Sequence, residues 1–235
     1  MKKPSTLRHR LNALAAFGVC VAAVAGRLSA QAPGTDASGV RGLLALFDRE
    51  IRETHVARVG WVRSLQVLAG PASPATRDSL LDGLEHFAAA SDDRQVAYFA
   101  AAVIAEAGAR AQARPLPGAV PRLERIYRAT GDAYVRRGIR GRAYLLADRT
   151  AAARLLASIA AEPEADAARQ AVLGDVDSPQ LEALRELAAM GAAGREALMD
   201  LHRRDAIHGP AARDYLRQLA HRGFPVEDRP LPGAR

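Results

Sequence analysis

Apolar residues beyond position 39 recur at the spacing of an α-helix. Val40, Leu43, Phe47 and Ile51 follow one another at intervals of three or four residues, which places them on one face of a helix. Runs of β-branched residues with the two-residue alternation of strands are absent. The pattern therefore predicts an all-helical chain.

Glycine and proline punctuate this first helical region. Further apolar positions from Val59 to Leu65 extend it, Gly60 is a candidate break, and Gly70-Pro71 ends it. Ser73-Pro74 then has the form of a helix start, a serine N-cap followed by proline at the first helical position. The same signal returns at Ser178-Pro179.

The middle of the chain repeats itself. Leu84 is followed twelve residues later by Val96, past a polar turn, and Leu123 is followed by Val135 at the same distance. The two blocks are offset by 39 residues. Identical residues coincide across that offset at Glu85 and Glu124, Ala90 and Ala129, and Asp93 and Asp132. Each block is predicted to be a helix, a tight polar turn and a second helix.

Two further blocks follow at less regular spacing. Leu156 begins a third block and Leu198 a fourth, after separations of 33 and 42 residues. The residues between the third and fourth blocks are more than one pair of helices requires. They are predicted to include an extra helix from Pro179 to Met190.

A two-helix unit of about 40 residues, with Asp132 in the turn and Val135-Arg136 opening the second helix, resembles a HEAT repeat. The resemblance implies a short right-handed α-α superhelix, a solenoid of HEAT-like helix pairs. It also implies that the aspartate and the arginine link neighbouring units by hydrogen bonds. The first block departs from the pattern, since Ala97 stands where arginine is expected, and the third block has Arg169 without an aligned aspartate. An irregular helical bundle is the alternative fold.

The N-terminus has the three zones of a secretory signal peptide. Its first ten residues contain basic side chains and no acidic one. The stretch from Ala13 to Gly26 is apolar but too short to span a bilayer, and small residues follow it. Cys20 lies inside the apolar run and is interpreted as part of the signal. An uncleaved membrane anchor is the alternative. The predicted segments are a signal peptide (1–30), a flexible leader (31–38), an N-terminal helical segment (39–72), the HEAT-like domain (73–222) and an extended tail (223–235).

The basic charge of the chain comes mainly from the signal peptide. The formal net charge is +7, and five of its 33 basic residues precede position 31. Their removal leaves 28 basic residues against 26 acids, a charge of +2. The high isoelectric point is therefore poor evidence for nucleic-acid binding, and no nucleic-acid partner is predicted.

No catalytic pattern stands out in the rest of the chain. It contains neither a nucleophile elbow, nor a glycine-rich phosphate loop, nor a zinc-protease helix. His202 and Asp205 share a helical face but lack a third convincing ligand. No enzyme activity, cofactor or metal is predicted. A periplasmic hydrolase using carboxylates, such as Glu162, Glu164 and Asp166, in a helical cleft is the alternative.

Charge segregation is the strongest non-random feature. Residues 110–154 contain eleven arginines and three acids, whereas residues 155–201 contain nine acids and three arginines. Arg122 and Arg125 share one helical face, and Arg136 and Arg140 share another, so these four are the candidate partner-binding residues. The alternative is that the acidic section neutralises them within the fold.

These features favour an exported scaffold or adaptor that mediates protein–protein interaction in the cell envelope. The expected location is periplasmic or secreted, without stable membrane insertion after signal cleavage. The expected partner is an unidentified protein or an anionic envelope component, because arginine forks suit carboxylate and phosphate groups.

Overall fold

The computed structural model describes residues 37–163, 178–204 and 209–221. The predicted signal peptide, nearly all of the leader, and the tail lie outside these residues, as do Arg169, Asp166 and Asp205. Within them the chain forms ten α-helices and no strand, which confirms the all-helical class. The helices are α1 (Ala37–Thr54), α2 (Val59–Ala69), α3 (Pro74–Ala90), α4 (Arg94–Ala107), α5 (Ala119–Ala129), α6 (Ala133–Ala143), α7 (Arg149–Ala160), α8 (Pro179–Ala188), α9 (Gly191–Arg204) and α10 (Gly209–His221).

Side-chain caps fix the starts of several helices. Ser73 accepts the N–H of Thr76 at 3.1 Å ahead of α3, and Ser178 caps α8 through Leu181 at 3.3 Å. Both predicted serine–proline starts are thus confirmed. The repeated aspartates Asp93 and Asp132 likewise cap α4 and α6, each accepting two backbone N–H bonds. The extra helix predicted from Pro179 is α8.

The predicted break at Gly60 is wrong in position. The chain turns at residues 55–58, where His55 adopts a positive φ of 59°, and Gly60 lies in the first turn of α2. The Glu50 carboxylate of α1 supplies the missing cap, accepting the N–H of Val59 at 2.9 Å and of Gly60 at 2.8 Å. Gly60 permits this close approach, because a Cβ there would lie 2.9 Å from the Phe47 Cα.

The helices alternate between two contacting rows. The first row contains α1, α3, α5, α7 and α9, and each helix contacts the next in that row. The second row contains α2, α4, α6, α8 and α10, and its members also contact one another in order. The repeated apolar residues Leu84, Leu123, Val96 and Val135 are fully buried between the rows. Their spacing is therefore explained by a shared core.

Candidate interaction surface

The predicted partner-binding arginines separate into two groups. Arg122 and Arg125 lie on α5 in the first row, whereas Arg136 and Arg140 lie on α6 in the second row. Each pair occupies one helix, as its spacing requires. The four guanidinium groups differ in their contacts and in their exposure.

Arg122 and Arg125 join α5 to α3 by ion pairs. Arg122 Nη1 donates to Asp82 Oδ1 at 2.8 Å and to Glu85 Oε2 at 2.6 Å. Arg125 donates through Nε and Nη2 to the two oxygens of Glu85, at 2.7 and 2.9 Å, the paired geometry that the guanidinium fork favours. The bonds from Arg125 and then Arg122 hold the pKa of Glu85 below its ordinary value.

A groove runs beside these ion pairs. It has a volume of about 390 Å³ and is lined by Arg122 and Arg125, by Arg77 of α3, and by the apolar side chains Leu81 and Leu116. Arg77 is half-buried and has no side-chain partner among the described residues. The local carboxylates of α3 nevertheless balance the other two arginines, so the groove is a mixed-charge cavity.

Arg136 is held by an aromatic ring. Its guanidinium carbon lies 5.1 Å from the centre of the Tyr127 ring on α5, and its Nε donates to the Thr130 carbonyl oxygen at 2.9 Å. No carboxylate of the described residues pairs with it. Arg136 is half-exposed, so it remains accessible while being fixed in orientation.

Arg140 is buried, and its placement on a partner-binding surface is therefore wrong. Its residue exposure is 0%, and its Nε donates to Glu182 Oε2 of α8 at 2.9 Å. Spacing placed Arg140 on the same stripe as Arg136, but the same face also contains Ile139 and Ala143, which pack into the core. Arg140 thus links α6 to α8 instead of facing a partner.

The surroundings of Arg140 form a buried polar cluster. The Tyr127 hydroxyl donates to Glu162 Oε2 at 3.4 Å, and Gln180 donates to the Glu162 carbonyl oxygen at 3.0 Å. Burial, followed by the nearby charge of Glu162, raises the pKa of Tyr127 to about 12. The tyrosine is therefore a neutral hydrogen-bonding group across the ordinary pH range.

The described residues include only part of the acidic section, since Glu164, Asp166, Asp175 and Asp177 lie outside them. Within the described residues, Glu182 of that section pairs with Arg140 of the basic one. Arg122 and Arg125 pair with α3 instead. Four arginines of the basic section have no carboxylate partner in the described part of the chain. They are Arg114, Arg136, Arg142 and Arg154.

Sequence reasoning missed an aromatic surface on the second row. Tyr98 of α4 lies 5.3 Å from Tyr134 of α6, measured between ring centres. Phe99 continues the contact towards Trp61 of α2, at 6.1 Å between rings. Arg142 joins this surface by donating from Nη2 to the Tyr98 hydroxyl at 2.8 Å. The defining contacts span about 40 positions in sequence, which explains why no local pattern revealed them.

The chemistry available elsewhere is limited. No cluster of three or more histidine, cysteine, aspartate or glutamate side chains in the described residues could hold a metal ion. Of the carboxylates considered for a hydrolase, Glu162 contacts Tyr127, whereas Glu164 and Asp166 lie outside the described residues. None of the ten described helices combines the length and apolar character needed to cross a bilayer.

No family model matches the chain, and neither a curated protein nor a solved structure is significantly similar to it. Side-chain contacts divide Arg122, Arg125, Arg136, Arg140 and Arg142 into three kinds: ion-paired on the first row, buried beside α8, and held on tyrosine rings without a carboxylate.

Proposed function

We propose that this protein is an exported helical-repeat scaffold or adaptor that binds an acidic partner in the cell envelope and catalyses no reaction of its own. The export component rests on the signal-peptide pattern of residues 1–30. The HEAT-like component is supported by two rows of helices, each in contact along its length. Helix pairs of this kind bury too little surface alone and depend on their neighbours.

Links between residues about 40 positions apart also support a stack of repeats. Arg52 pairs with Asp92 at 2.6 Å, and Arg94 pairs with Asp132 at 2.8 Å. In the second link, Asp132 caps the second helix of its unit and also binds Arg94 of the preceding unit. The HEAT resemblance implies a link of this kind between neighbouring units. The arginine in this link is Arg94, which follows the capping Asp93, whereas the HEAT pattern pointed to Arg136.

The observation that carries the binding proposal is the set of arginines without carboxylates. Arg114 and Arg154 are exposed, Arg136 and Arg142 are half-exposed, and none of the four is paired with an acid of the described residues. Such groups create a positive field that attracts an acidic partner and raises its association rate. Their contribution weakens with salt, over a screening length of roughly 8 Å at physiological ionic strength.

The test is binding of the mature chain to immobilised poly-glutamate at several salt concentrations. We expect the association rate to fall with salt and to fall further in the charge-reversal variant Arg114→Glu/Arg154→Glu. The matched control, Arg195→Glu/Arg203→Glu, makes the same charge change on α9, where both arginines are exposed. Equal effects of the two variants, or no binding by the native chain, would contradict the proposal.

A further inference from the structure

Arg142 is the most firmly oriented arginine of the basic section that has no carboxylate partner. Its Nη2 donates to the Tyr98 hydroxyl at 2.8 Å, and its Nη1 donates to the Gly138 carbonyl oxygen at 3.1 Å. Its guanidinium carbon lies 5.0 Å from the centre of the Tyr98 ring. The group is therefore fixed in position before any ligand arrives.

Fixing Arg142 leaves most of its donors available. A guanidinium carries five N–H groups, and the two contacts above use two of them. Arg142 is half-buried, and no carboxylate of the described residues is bonded to it. An oriented cation with unused donors binds a carboxylate at a lower entropic cost than a mobile surface arginine does.

The surface next to Arg142 is aromatic and open. Tyr134 is 42% exposed, one of three large hydrophobic side chains so exposed in the described residues. Its ring and that of Tyr98 lie 5.3 Å apart at an interplanar angle of 53°. Tyrosine and arginine are also the residues most enriched at binding hot spots in protein interfaces.

Two glycines shape the helix beneath these rings. A Cβ on Gly138 would lie 2.6 Å from Tyr98 Cε2, so glycine is what lets the ring rest on α6. A Cβ on Gly141 would meet no atom within 4 Å. Gly141 and Tyr134 are seven positions apart and share one stripe of α6. Gly141 thus leaves open space on the stripe of α6 that also contains Tyr134.

We infer that Tyr98, Tyr134, Gly141 and Arg142 form a docking site for an acidic peptide segment of a protein partner. A glutamate or aspartate side chain bonds to Arg142, and a neighbouring apolar side chain of the peptide packs on the tyrosine rings. This inference rests on the proposed function and assigns its binding to one place. A carboxylate is favoured over phosphate because Arg142 offers one oriented positive charge among aromatic rings, whereas a phosphate group carries nearly two charges.

The test uses fluorescence anisotropy with a labelled octapeptide of alternating glutamate and phenylalanine, and the mature chain as the receptor. The same peptide with glutamine in place of glutamate is the ligand control. We expect the glutamate peptide to bind and the glutamine peptide to bind at least about tenfold more weakly. Inorganic phosphate at constant ionic strength should not displace the glutamate peptide, and efficient displacement would overturn the assignment to a carboxylate.

Two variants locate the site. Arg142→Lys keeps the charge but loses the fork, and Gly141→Gln keeps the arginine while filling the open space. Each variant should lower the affinity for the glutamate peptide by about tenfold while the melting temperature of the protein is preserved. Arg195→Gln, an exposed arginine on α9, is the control and should leave affinity nearly unchanged.

The outcomes also separate this inference from the proposed function. If the native chain binds poly-glutamate but both variants keep their affinity for the peptide, the acidic-partner function stands and this site is wrong. If the native chain binds neither the peptide nor poly-glutamate, both proposals are wrong. Weaker peptide binding in both variants, with the control unchanged, supports the site.

Discussion

The two rows of helices are joined in different ways at the same point of the chain. In the first row, α3 and α5 are linked by charge, through Glu85 with Arg122 and Arg125. In the second row, α4 and α6 are linked through the rings of Tyr98 and Tyr134 together with Arg142, and the starts of the two helices are joined by one ion pair, from Arg94 to the capping Asp132. Neighbouring helices at this point of the chain therefore meet through different contacts in the two rows.

This difference shows why counting arginines is a poor guide to function. An arginine paired with a carboxylate contributes to the fold and little to the external field. An arginine held on a ring keeps its charge unneutralised while its mobility is reduced. Arg122 and Arg125 at the α3–α5 junction are of the first kind, whereas the α4–α6 junction combines the paired Arg94 with Arg142, which is of the second kind. The second row is therefore the better candidate for contact with an acidic partner.

The largest effect is expected at the junction of α6 with α8, where Arg140 is buried against Glu182. Arg140→Met should lower the free energy of unfolding by about 3 kcal/mol, because it leaves the largely buried Glu182 carboxylate with only the longer contact to Arg185, at 3.9 Å. Urea unfolding followed by circular dichroism measures this change. The double variant Arg140→Met/Glu182→Met should recover most of the loss, since it removes both charges. A loss below about 1 kcal/mol in the single variant would show that the pair is dispensable.

A smaller effect is expected at the first-row junction. Glu85→Gln removes the carboxylate shared by Arg122 and Arg125, and should cost about 1 kcal/mol because these groups are only partly buried. The exposed Glu53→Gln on α1 is the matched control and should cost less. Added salt should reduce the difference between the two variants, as expected for partly solvated charges.

The pH dependence of this junction follows from Glu85. Its pKa is lowered in the folded chain by Arg125 and Arg122, so its stabilisation is fully present above the unfolded value of about 4.3. It is lost as the pH falls through the lower folded value. The native chain and Glu85→Gln should therefore converge in stability in acid, and a constant difference down to low pH would assign the effect to packing.

The sequence predicted the local elements of this fold well. The spacing of Leu84, Val96, Leu123 and Val135 identified residues that are fully buried, and Ser73 identified a real helix start. These features depend on contacts within one turn or on the helical period. A single sequence carries that information directly.

The site was less predictable because its contacts are remote. Arg140 was assigned to a surface because spacing gives the helix face but not what covers it, and its partner Glu182 is 42 residues away. Arg142 was missed because the tyrosine that fixes it is 44 residues away. Gly138, a glycine within a helix, was the one local sign of close packing on that face.

The smallest effect is expected at the second-row junction, and it distinguishes aromatic packing from hydrogen bonding there. Tyr98→Phe keeps the ring against Gly138 and Tyr134 but removes the hydroxyl that accepts from Arg142. Since the half-exposed arginine can bond to water instead, the free energy of unfolding should fall by only about 0.5–1 kcal/mol. Tyr134→Phe is the control, because its hydroxyl has no hydrogen bond within the described residues. The loss in Tyr98→Phe should change little between low and high salt, whereas that in Glu85→Gln should shrink. A loss in Tyr98→Phe that disappears in high salt would mean that the Tyr98–Arg142 contact is itself governed by charge, and the contrast between it and the Glu85 ion pairs would be withdrawn.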